Sequence, residues 1–241
     1  MSTSQKPASR ILCLVPDQNT PGKSDVTGAF FPEARAFARY HGCEPDQAVR
    51  RFPSAPNLSL QQRRAVCVDA IMRAPQPLDV LAFFCHGWRD GLQAGFTHSN
   101  VLVLARLIAL HADRDAHVLL YACQTGRDGD AQEADDQLPG PGGDGGFADE
   151  LRDACEVLGR RITVMGHTTA GHCTWNPFAR YFAPGCGGLG GHWYVEPESE
   201  LWQAWVRALR EPRSSLRYRF PFMQPEEIAD ELGGGAGPLV A

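Results

Sequence analysis

Two lysines, Lys6 and Lys23, stand against 21 arginines. That imbalance reads as the GC-rich base bias of a bacterial source and not as a basic patch. The formal net charge is -5, the wrong sign for a dedicated nucleic-acid binder. No apolar run approaches the roughly 18–20 residues that span a bilayer, so no membrane partner is expected. The opening MSTSQKPASR lacks the apolar core of a secretory signal, and the expected location is cytoplasmic. The eight cysteines are scattered and include no C-x-x-C pair. A disulfide framework is therefore not expected, and most of these thiols should be small buried hydrophobes.

What is present is ordinary globular material. Of 241 residues, 43% are hydrophobic and 21% charged, enough for a sizeable core and too apolar for general disorder. One domain is expected over residues 10–232, with a C-terminal extension from about 178. Loose tails are expected at 1–9 and at the Gly-rich 233–241.

Short apolar runs bounded by breakers predict strands at Ile11–Val15, Ala48–Phe52, Leu78–Cys85, Val118–Ala122 and Ile162–Met165. Helical spacing predicts helices at Phe30–Tyr40, from Ser59 to Met72, at Ser99–His111, at Phe147–Leu158 before Gly159, and at Ser199–Leu209. Gln62 stands three residues after Ser59, the spacing of a capping box. Strands without polar alternation are buried on both faces. The predicted fold is α/β, a three-layer αβα sandwich around a mostly parallel sheet.

Ligands gather at the carboxyl ends of strands in such sheets. The residues after each apolar run therefore carry the information: Asp17, His86–Gly87, Cys123 and His167. A cysteine becomes a nucleophile when a base takes its proton. An imidazole on a neighbouring strand end can be that base and can then protonate a leaving amine. Gly87 lets backbone approach closely, and its N–H with that of Cys123 could hold an oxyanion. Each of these residues also has a plainer reading, as packing for Cys123 and as a turn for His86–Gly87. Cys13 and Cys85 lie inside strand runs and are read as core.

The stretches LDVLAFFCHG (78–87) and HVLLYAC (117–123), each an apolar block closed by a reactive residue, resemble the clan of caspases, metacaspases, legumains, gingipains and CHAT-type proteases. Tyr121-Ala-Cys-Gln-Thr-Gly126 is similar to the Ser-Ala-Cys-x-Thr-Gly stretch of the CHAT group. The resemblance covers about residues 10–170. It implies a caspase-like fold, a His86–Cys123 dyad with Gly87 in the oxyanion hole, a protein or peptide substrate, and no cofactor. The caspase Gln-Ala-Cys-Arg-Gly stretch is absent and Tyr121 stands where metacaspases have Asp, so the likeness is to a distant bacterial branch.

Three further features are open at this level. Asp17 is either a specificity carboxylate for a basic substrate side chain or a turn-forming Asp. His167 and His172 either line the substrate pocket, bond to turn backbone, or join Cys173 in a zinc set. Residues 128–145, acidic and rich in Gly and Pro, are either a gate, an activation-cleavage site or a calcium-responsive segment, or a solvated, dispensable loop. Besides a cysteine endopeptidase, the sequence admits a catalytically inactive interaction module of the same fold. It also admits a metal-dependent hydrolase using His86, His167 and His172.

Overall fold

A computed structural model describes residues 10–17, 30–128, 143–169, 176, 178–185, 191–193, 195, 197–200 and 202–203. Both expected tails, and residues 201 and 204–209 of the helix expected at 199–209, lie outside them.

The elements follow the apolar runs. They are β1 (Ile11–Pro16), α1 (Phe30–Tyr40), α2 (Pro45–Ala48), β2 (Val49–Phe52), α3 (Leu60–Arg73), β3 (Leu78–Phe84) and the two-residue strands β4 (Gly87–Trp88) and β5 (Gly91–Leu92). After these come α4 (Val101–His111), β6 (Ala112–Tyr121), α5 (Phe147–Val157), β7 (Thr163–His167), β8 (Ala179–Phe182) and β9 (His192–Trp193). Ser59 caps α3 as its spacing predicts: its side chain accepts from the Gln62 N–H, and the Gln62 side chain accepts from the Ser59 N–H at 2.9 Å. Gly159 takes the left-handed conformation, φ +74°, just beyond α5, the usual way for a glycine to end a helix.

The seven-stranded sheet has the order β2-β1-β3-β6-β7-β8-β9. Its first five strands are parallel, and β8 runs antiparallel to both neighbours. The stretch expected as an extension thus enters the same sheet through β8. Connections explain the layering. From β1 the chain moves outward to β2, then reverses through β3, β6 and β7. With right-handed crossovers, the first connection lies on one face and the later ones on the other. Accordingly Phe30, Ala34, Phe37 and Ala38 of α1 pack on Cys13, Val15, Phe84 and Tyr121. Residues of α3, α4 and α5 pack on Leu14, Phe83, Leu120 and Val164 across the sheet. Helices on both faces of a mostly parallel sheet are compatible with the expected sandwich.

Two differences from expectation have physical causes. β6 begins at Ala112, six residues before its apolar run, because its first pair with β3 (Leu78 with Ala112) is separated from the next (Val80 with His117) by a bulge. The charged Asp113, Arg114 and Asp115 ride on that bulge, so no apolar pattern marks them. β4 and β5 form a separate hairpin, too short to show periodicity.

His117 on β6 and His41 after α1 both have pKa values lowered by burial, with Asp115 partly opposing this at His117. The neutral imidazole is the form the fold favours, so below the ordinary value of 6.5 the unfolded chain takes up protons that the fold resists. Their contribution to stability is present above that pH and is lost as the pH falls through the lowered folded values. Thermal melts should show a drop in melting temperature on acidification from pH 7 to 5. His117→Gln should show a smaller drop; an unchanged pH slope would exclude His117 as a contributor.

Candidate active site

The β3–β6 ladder ends at the pair Phe84–Tyr121, whose rings stack with centroids 4.6 Å apart. His86 and Cys123 each follow two residues later, so the two half-buried side chains leave adjacent parallel strands at one level. Alternation sets the direction. Phe84 and Tyr121 face α1, whereas Cys85 and Ala122 belong to the core under α3–α5. His86, the next residue after Cys85, continues the alternation toward α1. On β3 this is borne out by Phe30 at the start of α1, whose ring meets that of His86 edge-on at 5.0 Å.

Gly87 abuts the Cys123 backbone. A Cβ on Gly87 would lie 2.7 Å from Ala122 Cβ, 2.9 Å from the Cys123 carbonyl oxygen and 3.0 Å from Thr125 Cγ2, so only glycine fits. In the β4–β5 ladder, Gln93 N–H donates to the His86 carbonyl at 2.9 Å. That bond makes Gly87–Leu92 a pair of the non-hydrogen-bonded kind. The N–H and C=O of Gly87 consequently turn away from β5. Gln93 escapes sequence reading, its only mark being a polar side chain between small and apolar residues; it is buried and accepts the His86 N–H through Oε1 at 3.2 Å.

The turn after Cys123 is fastened on several sides. Gln124 adopts φ +60°, an uncommon value for a side-chain-bearing residue. Its N–H donates to the Thr169 carbonyl at 3.1 Å, and the Gly126 N–H donates to the His167 carbonyl at 2.9 Å. Buried Thr125 donates its hydroxyl to the Ala122 carbonyl at 3.2 Å, while the Thr125 carbonyl accepts from Ala148 N–H at the start of α5.

The dispensable-loop expectation for 128–145 needs correction at its end. Gly145 N–H donates to Asp149 Oδ2 at 3.0 Å, and Asp149 pairs with the equally buried Arg152 at 2.8 Å. Gly146 packs on the Arg127 carbonyl, leaving no space for a Cβ. Residues 143–145 are therefore rooted by backbone contacts and a buried carboxylate that composition does not reveal. Residues 129–142 lie outside the described residues.

Asp17 reaches the same sheet edge beyond β1 but serves a turn: its Oδ1 accepts from Ser54 N–H at 2.9 Å and from Ser54 Oγ at 3.1 Å, and its own N–H donates to the Phe52 carbonyl. His167, expected just past a strand, is instead the last residue of β7, opposite Ala179 and fully buried, with its ring 5.7 Å from Tyr121. Pairing with β8 extends β7 by two residues beyond its apolar run, which removes His167 from the overhanging rim. His172 and Cys173 lie outside the described residues. Among the described residues no group of three or more His, Cys, Asp or Glu side chains could hold a metal ion. Likewise, no helix among them is long and apolar enough to cross a membrane.

The six described cysteines are all thiols. Burial raises the pKa of Cys13 and Cys67 strongly, and pushes Cys85 and Cys155 up to about 12. Thiolate is the reactive form, so these four should be inert. Under limiting iodoacetamide at pH 7.5, peptide mapping by mass spectrometry should find Cys123 alkylated well before any of them. Labelling of the buried four at an equal rate would mean that the native packing differs from that described.

Compared with models of known families and with curated proteins, the chain matches none.

Proposed function

We propose that the protein is a cysteine endopeptidase of caspase-like fold. His86 takes the proton of Cys123 Sγ, and the sulfur attacks the peptide carbonyl. The negative oxygen of the tetrahedral intermediate is held by the N–H groups of Gly87 and Cys123. As the C–N bond breaks, His86 passes its proton to the leaving amine and a thioester remains. Water then attacks the thioester, His86 takes the proton from water, and returning it to sulfur restores the thiol. Every proton and electron pair is accounted for without a cofactor.

The observation that carries this reading is the convergence at one sheet edge: His86 and Cys123 at equal height on neighbouring parallel strands, with the Gly87 backbone packed against the Cys123 carbonyl.

The test combines a diverse peptide library with a peptidyl acyloxymethyl ketone. Cleavage, together with a covalent adduct mapped to Cys123, is the expected result. Neither cleavage nor adduct would favour the non-catalytic interaction module. Cleavage that survives Cys123→Ala but not a chelator would favour the metal-dependent hydrolase.

A further inference from the structure

We infer that Gln93 is a positioning residue that aims the His86–Gly87 peptide, and with it the Gly87 oxyanion donor. The inference rests on the peptidase reading above and extends it.

The geometry is reciprocal. His86 N–H donates to the Gln93 side-chain oxygen at 3.2 Å, and Gln93 N–H donates back to the His86 carbonyl at 2.9 Å. Both backbone polar groups of His86 are thereby committed to one buried residue. His86, the residue that leads from β3 into β4, is thus clasped by the turn that follows β5.

That turn is itself fixed. Gly95, at φ +94°, lies so close to α3 that a Cβ would fall 2.1 Å from the Leu60 carbonyl oxygen. Arg64 Nη1 donates to the Gly95 carbonyl at 2.9 Å, and Asn100 Nδ2 reaches the same oxygen at 3.4 Å. The capped first turn of α3 therefore anchors Gly95, and the Gly95 turn holds Gln93; the Gln93 backbone N–H holds the carbonyl of the His86–Gly87 peptide, while its side-chain oxygen holds the N–H of the peptide before it, so that His86 is fixed on both sides and the Gly87 N–H with it. Oxyanion stabilisation depends on donors fixed before charge develops, and sub-ångström looseness in such a donor is costly. A buried side-chain amide that satisfies a backbone N–H is a device of that kind.

Two electrophiles separate this role from a general structural one. Iodoacetamide needs a reactive thiol and makes no oxyanion. A peptidyl aldehyde forms a hemithioacetal: the Sγ–C bond forms, the thiol proton ends on the former carbonyl oxygen, and that oxygen sits in the oxyanion hole. Gln93→Met keeps length and loses the amide; Gln93→Glu keeps an acceptor oxygen. In Gln93→Met, kcat and aldehyde affinity should both fall about 10- to 100-fold, with KM and the iodoacetamide rate at Cys123 within about twofold of the parent. Gln93→Glu should keep aldehyde affinity within about threefold of the parent.

Parent-like kcat in Gln93→Met overturns the inference, as does equal loss of iodoacetamide reactivity. Should Gln93→Met fail to fold, Gln93→Glu decides alone, since weak aldehyde binding in that folded variant overturns the inference too. If the parent protein neither cleaves peptides nor binds the aldehyde, the peptidase reading has failed instead, and the two failures are distinct.

Discussion

Cys123→Ala and His86→Ala should each reduce peptide hydrolysis by at least about 1,000-fold, with the double variant scarcely worse than either. Two groups that pass a single proton act as a unit, so removing one removes most of what both supply. The fold should tolerate both changes. Each residue lies beyond the last paired position of its strand and is half-buried. Melting temperatures should stay within about 2 °C of the parent, which separates loss of chemistry from loss of structure. Retention of a tenth of the parent kcat/KM by either variant, after exclusion of a contaminating protease, would falsify the dyad.

The second large effect concerns stability. A Cβ on Gly126 would stand 2.2 Å from the Gly166 carbonyl oxygen and 2.7 Å from its carbonyl carbon. Both partners are backbone, one in the turn after Cys123 and the other in a central strand, so neither can yield by a side-chain rotation. Gly126→Ala should cost about 3 kcal/mol or more, roughly 6–12 °C in melting temperature at this chain length. Gly185→Ala is the control. Its φ is +80° but no described residue lies within 4 Å of the added carbon, so the conformational cost of about 1 kcal/mol is the expected effect. Equal melting temperatures for the two variants would show that the turn after Cys123 is not pressed against β7.

The same contrast explains how much could be read in advance. Buried strands show themselves because LDVLAFF and ILCLVP leave water on both faces, and α1 and α3 show themselves through helical spacing and the Ser59–Gln62 cap. The ends of those strands then nominate His86 and Cys123. Other parts leave no such trace. β8 and β9 are four and two residues long, below the length at which periodicity can be counted. The start of β6 is hidden by the charged bulge. Gln93 takes its importance from a hydrogen bond to a residue whose backbone is buried by tertiary packing, and a lone glutamine in a loop carries no sign of that. The Asp17 ambiguity is of the same kind, because a strand-end carboxylate looks identical in sequence whether or not Ser54 folds back onto it.

The order of the sheet separates the reagents of the proposed reaction from the structure that supports them. His86, Gly87 and Cys123 all precede residue 129, just after β3, on β4 and just after β6, whereas α5 and β7, which close the other side of β6, follow residue 142. A chain stopped at Asp128 would contain every group that the chemistry needs. It would nevertheless leave the hydrogen-bonding edge of β6 open, and it would remove Phe147, Ala148 and Leu151 from the core they share with Leu120 and Ala122. Covalent completeness and mechanical completeness are thus reached at different points along the polypeptide. During synthesis the residues of the proposed site emerge before the walls that give it shape, so a nascent chain at that stage holds the groups of the proposed chemistry without the rigidity that chemistry would need.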